Sequence, residues 1–221
     1  MPNMSKKKVK FLNEVKDYGC AVLVGPLLGQ KEWEQIPKDA PLLLVDGGAD
    51  VAFKLGLNTS RSVFTVGDGD SSIEDIDHRF NPEKDFSDLV GALNLVPNDV
   101  VELRLFGFLG GRKDHELINF GELNQYLKNK KVKSKAYLSQ NILAVGAGSW
   151  KIYTEKGVFS LLSLEKGLVS LGGQVKYKVA PPREIDVLSS QYLSNYTDGE
   201  FTLTTKNPLY LFVEGTSLRA E

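Results

Sequence analysis

Val63-Phe64-Thr65-Val66-Gly67-Asp68-Gly69-Asp70-Ser71-Ser72 decides how the rest of the chain reads. Residues of β-forming, apolar character run straight into a glycine and two aspartates spaced i, i+2. That pattern predicts a buried strand whose last turn delivers two carboxylates to one spot at a sheet's edge. In extended backbone, side chains at i and i+2 share a side, about 7 Å apart. Two anions held that close repel unless something positive lies between them. A divalent cation is the usual answer.

Outward from this stretch the same grammar recurs. Cys20-Ala21-Val22-Leu23-Val24 is a continuous apolar run closed by Gly25-Pro26, and Pro41-Leu42-Leu43-Leu44-Val45 is another, closed by Asp46-Gly47-Gly48; both read as buried strands. Gly29–Ile36 has room for a short helix, and Ala49–Leu55 keeps helical spacing up to Gly56, a natural helix stop. Downstream, residues 71–80 read as polar loop. Lys84–Leu95 then reads as a helix with Phe86, Leu89, Val90, Leu93 and Val96 on its apolar face. Val100–Phe106 is a fourth strand, Gly107–Arg112 a glycine-rich turn, and Asp114–Lys128 a helix carrying Leu117, Phe120, Leu123 and Leu127 on one face. Strand and helix alternate, which predicts an α/β domain with a mainly parallel, Rossmann-like sheet over residues 19–132.

Residues 1–18 read as a polar lead-in, with Ser5-Lys6-Lys7-Lys8 solvated. Beyond the Lys-rich segment at 128–135 the texture changes to short β-like runs: 135–138, 142–145, 150–153, 158–164, 174–179, 201–205 and 209–213, separated by turn residues such as Pro181-Pro182 and Asp198-Gly199. Only 185–188 hints at a helical period. Residues 133–221 are therefore expected to form an all-β sandwich or barrel-like domain.

The bulk properties exclude several classes. The 221 residues are 42% hydrophobic and 25% charged, with formal net charge −1, the balance of an ordinary globular protein with no global pull toward nucleic acid or anionic membrane. No apolar run approaches the roughly 20 residues that span a bilayer. The N-terminal segment is basic but lacks the apolar core of a signal peptide. One cysteine, Cys20, excludes an internal disulfide and suits a reducing compartment, so the expectation is a cytoplasmic protein. One cysteine and two histidines, His78 and His115, make zinc and triad chemistry poor readings.

Ligands of open parallel sheets bind beyond the strands' carboxyl ends. Asp46-Gly47-Gly48, Asp68 and Asp70, and Gly107 through Arg112 all fall there, and the predicted helix at Lys84 adds Asp85 and Asp88, which at i, i+3 share a face. Asp114 and His115 open the next helix. Each has an ordinary alternative: Asp-Gly pairs make turns, Asp85 favours a helix start, His115 lies on a helix surface, and Arg112-Lys113 is solvated charge. Their convergence is what suits Mg²⁺ with a polyphosphate, since magnesium takes a few carboxylates plus phosphate oxygens and arginine offers a bidentate fork to phosphate. No P-loop and no G-x-G-x-x-G is present.

Taken in order, these motifs resemble the thiamine pyrophosphokinase family. The family's Asp-Gly-Gly-Ala-Asn segment is matched by Asp46-Gly47-Gly48-Ala49-Asp50, and its Gly-Asp-Phe-Asp-Ser by Gly67-Asp68-Gly69-Asp70-Ser71. Its Lys-Asp-x-Thr-Asp looks like Lys84-Asp85-Phe86-Ser87-Asp88, and its Gly-Gly-Arg-x-Asp-His-x-x-x-Asn is met by Gly110-Gly111-Arg112-Lys113-Asp114-His115 and Asn119. In the β half, Phe159–Leu164, Lys176-Tyr177 and Ser194-Asn195 correspond. Asp50 stands for Asn, Gly69 for Phe, Ser87 for Thr and Gln174 for Gly. Gly69 loosens the loop and removes an apolar wall.

The resemblance implies diphosphate transfer from ATP to the hydroxyl of thiamine, giving thiamine diphosphate and AMP, in a homodimer. It implies Mg²⁺ on Asp68, Asp70 and Asp85, and ATP contacts from Asp46, Gly47, Gly48, Arg112, Asp114, His115 and Asn119. Catalysis would fall to Asp68, Asp70, Asp88 and Arg112, and thiamine contacts to Asp88, Ser194 and Asn195, with Trp150 either an aromatic wall or core. The alternatives are a diphosphokinase acting on a hydroxymethyl-pterin, a haloacid-dehalogenase-type phosphatase suggested by the Asp-Gly-Asp-Ser run, and a non-catalytic thiamine- or nucleotide-binding regulator.

Overall fold

The computed structural model describes residues 5–58, 60–70, 76–215 and 217–221; Ser71 and Ser72 of the opening stretch, and the start of the lead-in, lie outside them. The chain divides into two compact units, Met1–Glu122 and Leu123–Glu221.

In the first unit the apolar runs form strands because most of their side chains are buried, and a short polar strand, His78–Arg79, joins them. They are β1 (Cys20–Val24), β2 (Leu42–Val45), β3 (Val63–Gly67), the two-residue β4 (His78–Arg79) and β5 (Glu102–Phe106). All pair in parallel, in the order β4-β3-β2-β1-β5. The order turns back at β1: β2 lies on one side of it and β5 on the other. Such a reversal opens a crevice at the strands' carboxyl ends. The helices are short: α2 (Gln30–Trp33), α3 (Gly48–Lys54) and α4 (Asp88–Leu93). What is seen is thus a parallel sheet with brief crossovers, less than the full Rossmann-like layering expected.

The expected polar lead-in is instead largely a helix, α1 (Lys6–Tyr18). Ser5 caps it by accepting from the Lys8 N–H at 3.2 Å, and Gly19 ends it in the left-handed conformation. Phe11 and Val15, at i, i+4, bury one face, and Phe11 stacks on Phe64 of β3 at 5.4 Å. Burying one such side chain stabilises by about 1.5–3 kcal/mol, which outweighs the solvated lysines around it. α4 differs in the other direction. Ser87 Oγ accepts from the Val90 N–H at 3.2 Å and starts the helix at Asp88, so Lys84–Ser87 form a non-helical approach to it.

α5 (Lys113–Asn129) runs through the division of the chain. The second unit is antiparallel: β6 (Lys135–Ser139), β7 (Ile142–Val145), β8 (Gly148–Thr154), β9 (Gly157–Leu162), β10 (Gly167–Val175), β11 (Val179–Ile185), β12 (Asn195–Thr205), β13 (Leu209–Val213) and β14 (Leu218–Ala220). The strand β12 forks the sheet. Asn195–Thr197 pairs with β9, while Glu200–Thr205 pairs with β8, on either side of Gly199 at φ +127°. Both arms feed one apolar cluster that includes Trp150, Phe159, Leu171, Phe201 and Leu211. Pro181-Pro182, expected as a turn, lies inside β11. β11 pairs with β10 and ends the strand order, and an edge strand tolerates proline because its outward N–H needs no partner. The run expected at 174–179 straddles two strands.

Candidate functional site

The carboxyl ends of β1, β2, β3 and β5 surround a cleft of about 450 Å³, which α4 and the start of α5 complete. Backbone bonds knit these ends together: Gly25 N–H donates to the Phe106 carbonyl at 2.8 Å, Leu27 N–H to Gly107 at 3.0 Å, and Asp46 N–H to Val66 at 2.8 Å. Asp46, Asp68, Asp70 and Asp88 all line the cleft, and Arg112, His115 and Asn119 line it from the α5 side.

Asp46 follows β2 with φ +52°, a left-handed conformation that aspartate tolerates better than most residues. Its Oδ1 is buried with no hydrogen-bond partner among the described residues. Burial pushes its carboxyl above the usual range, and the charges of Asp88, Asp70 and Asp68 push the same way. Gly47 and Gly48 are buried beside it rather than lining the cleft. A Cβ on Gly48 would run into the Val24 carbonyl, so this glycine answers a packing demand of β1.

Asp68 and Asp70 leave β3 around Gly69, whose φ is +87°. A Cβ there would displace the Arg79 guanidinium, 2.8 Å away, but it is the left-handed backbone that calls for glycine. Asp70 N–H donates to Asp68 Oδ1 at 3.3 Å. A positive charge does reach the cluster, but it is Lys84, and it bridges Asp68 and Asp88 rather than the expected pair, Asp68 and Asp70. The Lys84 Nζ lies 2.6 Å from Asp68 Oδ2 and 3.2 Å from Asp88 Oδ1. Lys84 holds the Asp68 carboxyl below its ordinary range. Burial raises that of Asp88 against the pull of Lys84. For Lys84 itself burial acts downward, but its bonds to Asp68 and Asp88 outweigh it and the ammonium titrates above its usual range.

Asp85 stands apart. It is exposed, precedes α4 and does not line the cleft; the shared helix face expected for Asp85 and Asp88 does not exist because the helix begins at Asp88. A group not foreseen is Glu122, whose Oε2 accepts from Ser87 Oγ at 2.6 Å and so ties the cap of α4 to α5. No sequence motif marks it; only the packing of two helices brings it there.

At the rim, Arg112 pairs bidentately with Asp114, at 3.2 and 2.6 Å. The guanidinium holds the Asp114 carboxyl down at about 2. Asn119 lines the cleft, but its Nδ2 donates to the Phe108 carbonyl at 2.9 Å, fixing the turn after β5. Within the second unit, Asn195 is buried: its Oδ1 accepts from the Tyr177 and Tyr196 N–H groups and its Nδ2 donates to the Tyr177 carbonyl. These bonds clamp the start of β12 to the turn between β10 and β11 and leave Asn195 ill suited to hold a substrate. Ser194 is exposed, with φ +56°. Trp150 is core, its indole N–H bonded to the Gly146 carbonyl at 2.9 Å.

Chemically the cleft offers oxygen donors, the set that hard divalent cations prefer. Asp46 Oδ1, buried and lacking a hydrogen-bond partner among the described residues, fits such an ion. As the side chains stand, no three His, Cys, Asp or Glu among the described residues are grouped to hold one, and Lys84 lies between Asp68 and Asp88. No helix among the described residues is long and apolar enough to cross a membrane.

No family model and no curated protein sequence matches the chain. Solved structures do. A thiamin pyrophosphokinase from Geobacillus thermodenitrificans superposes with TM-score 0.68 at 22% identity, covering 90% of this chain and 99% of that one. One from Bacillus subtilis gives 0.65 at 22%, over 88% and 97%. That of Candida albicans gives 0.67 at 15%, over 89% and 88%. The chain has the fold of thiamine pyrophosphokinases.

Proposed function

We propose that the protein is a thiamine diphosphokinase, transferring diphosphate from ATP to the hydroxyl of thiamine and releasing AMP. The observation that carries this reading is the gathering of Asp46, Asp68, Asp70 and Asp88 with Arg112 around one cleft at the strands' carboxyl ends. The shared fold and the ordered motifs support it. Asp68 and Asp70, with Asp46 and Asp88, would hold Mg²⁺; Asp85 is left out because it is exposed and lies off the cleft. When bound, the ion neutralises phosphate charge, the dominant need in this chemistry. The remaining work falls to the chain's own groups. Arg112 turns its guanidinium from Asp114 to the transferring group, which its exposed position permits. Asp88 also orients the acceptor hydroxyl.

Ser194 keeps an exposed hydroxyl for the acceptor, while Asn195 acts by holding the turn at Tyr177 against the start of β12. The homodimer belongs to the same reading and is checked by light scattering. The decisive assay supplies ATP, Mg²⁺ and a panel of thiamine and hydroxymethyl-pterin. AMP and thiamine diphosphate are expected. ADP as the sole nucleotide product, or transfer to the pterin alone, overturns the assignment, and tight binding without AMP release identifies a regulator.

A further inference from the structure

The acidic cleft carries its own cation. Lys84 Nζ reaches Asp68 on the loop after β3 and Asp88 on the first turn of α4, so a single ammonium joins carboxylates from two elements. The Phe80 and Phe86 rings lie 5.8 and 5.9 Å from it, close enough to favour a cation by their π faces. Lys84 also precedes the helix, in a turn where its backbone N–H donates to the Asn81 carbonyl at 3.0 Å. Its four-carbon stem is flexible and its charge compact.

We propose that Lys84 is a positioning residue that occupies the acidic site in the metal-free protein and competes with a divalent cation for Asp68 and Asp88. An ion about 2.1 Å from a carboxylate oxygen cannot share Asp68 Oδ2 with an ammonium 2.6 Å away without strong repulsion between the two cations. Metal entry therefore swings Lys84 off the carboxylates, and metal loss lets it return. Lys84 keeps the acids gathered while no metal is present and weakens resting metal affinity. This inference rests on reading the cleft as a divalent-metal site; it does not depend on thiamine being the acceptor.

The test is Mn²⁺ binding without nucleotide, read from the electron paramagnetic resonance of free Mn²⁺, on wild type, Lys84→Gln and Lys84→Arg. Lys84→Met, whose stem keeps the packing against Phe80 and Phe86, is the second neutral variant should Lys84→Gln fold poorly. The neutral variants should bind Mn²⁺ about tenfold more tightly than wild type, and Lys84→Arg should behave as wild type. Melting in EDTA and then in Mn²⁺ should show a larger metal-induced rise in Tm for the neutral variants. Equal or weaker Mn²⁺ binding by the neutral variants overturns the proposal, as does no Mn²⁺ binding by any form. AMP release is scored separately. Wild type that makes thiamine diphosphate while the variants bind Mn²⁺ unchanged removes the competition alone; tighter binding without any AMP release leaves the competition standing and removes the enzyme reading.

Discussion

Two ion pairs border the same cleft at the same 2.6 Å separation, yet they do different work. In the inner one, the Lys84 and Asp68 side chains are 8% and 13% exposed; in the outer one, Arg112 and Asp114 are 71% and 59% exposed. Water and salt screen the outer pair almost fully. The inner ammonium lines the cleft yet is largely shielded from solvent, so its loss leaves the carboxylates of Asp68 and Asp88 without the ion pairs it makes. The lesson is that distance does not rank ion pairs; solvation does. The inner pair holds architecture, and the outer pair stores a guanidinium that can leave.

The largest effect should come from the acidic wall itself. Asp70→Asn keeps the shape of the side chain and removes one charge from the inner cluster. Turnover should fall about a thousandfold, equivalent to roughly 4 kcal/mol of transition-state stabilisation, with the far-ultraviolet dichroism unchanged. Near-normal turnover would remove Asp70 from the metal-holding set and leave the inner cluster a structural feature only.

The pairs themselves can be broken next. Lys84→Met, measured in EDTA by denaturant unfolding, should cost about 1–3 kcal/mol, between the values for exposed and fully buried pairs. Arg112→Met should leave the midpoint where it is, while lowering turnover. Equal losses of stability from both would erase the distinction on which the comparison rests.

Much of this arrangement was legible beforehand. β1, β2, β3 and β5 are apolar runs punctuated by glycine, so both their existence and their ends could be read. Asp46, Asp68, Asp70 and Asp88 could then be placed at one edge, because parallel strands end on the same side. Most of what escaped depended on partners distant in sequence. The lysines of α1 masked the two positions, Phe11 and Val15, that bury it. The apolar spacing around Phe86 extended the helix too far back, because that ring is exposed and the true start is set by the Ser87 cap; Asp85 was misplaced with it. Nor does sequence say which cation answers a pair of aspartates, and the contacts of Lys84 with Asp68 and of Ser87 with Glu122 exist only once the chain is folded.

The smallest effect tests the inner cluster from its other side. Asp46 carries a carboxyl raised by burial and by the charges of Asp88, Asp70 and Asp68. A group whose folded pKa lies above its unfolded value supports the native state at low pH, and that support is lost as pH rises through the folded pKa. At pH 7 in EDTA the ionised Asp46 is therefore a liability, and Asp46→Asn, which also tolerates the left-handed backbone, should stabilise the protein by about 1 kcal/mol, or roughly 2–4 °C in Tm. Near pH 4 the native carboxyl is already taking up its proton, and the gain should shrink toward zero. Mn²⁺ should narrow the difference from the opposite direction, by neutralising the wild-type cluster while finding one donor fewer in the variant. A stabilisation equal at both pH values would mean that Asp46 is held by something other than charge, and the inner cluster would lose the member that most distinguishes it from the solvated pair at the rim.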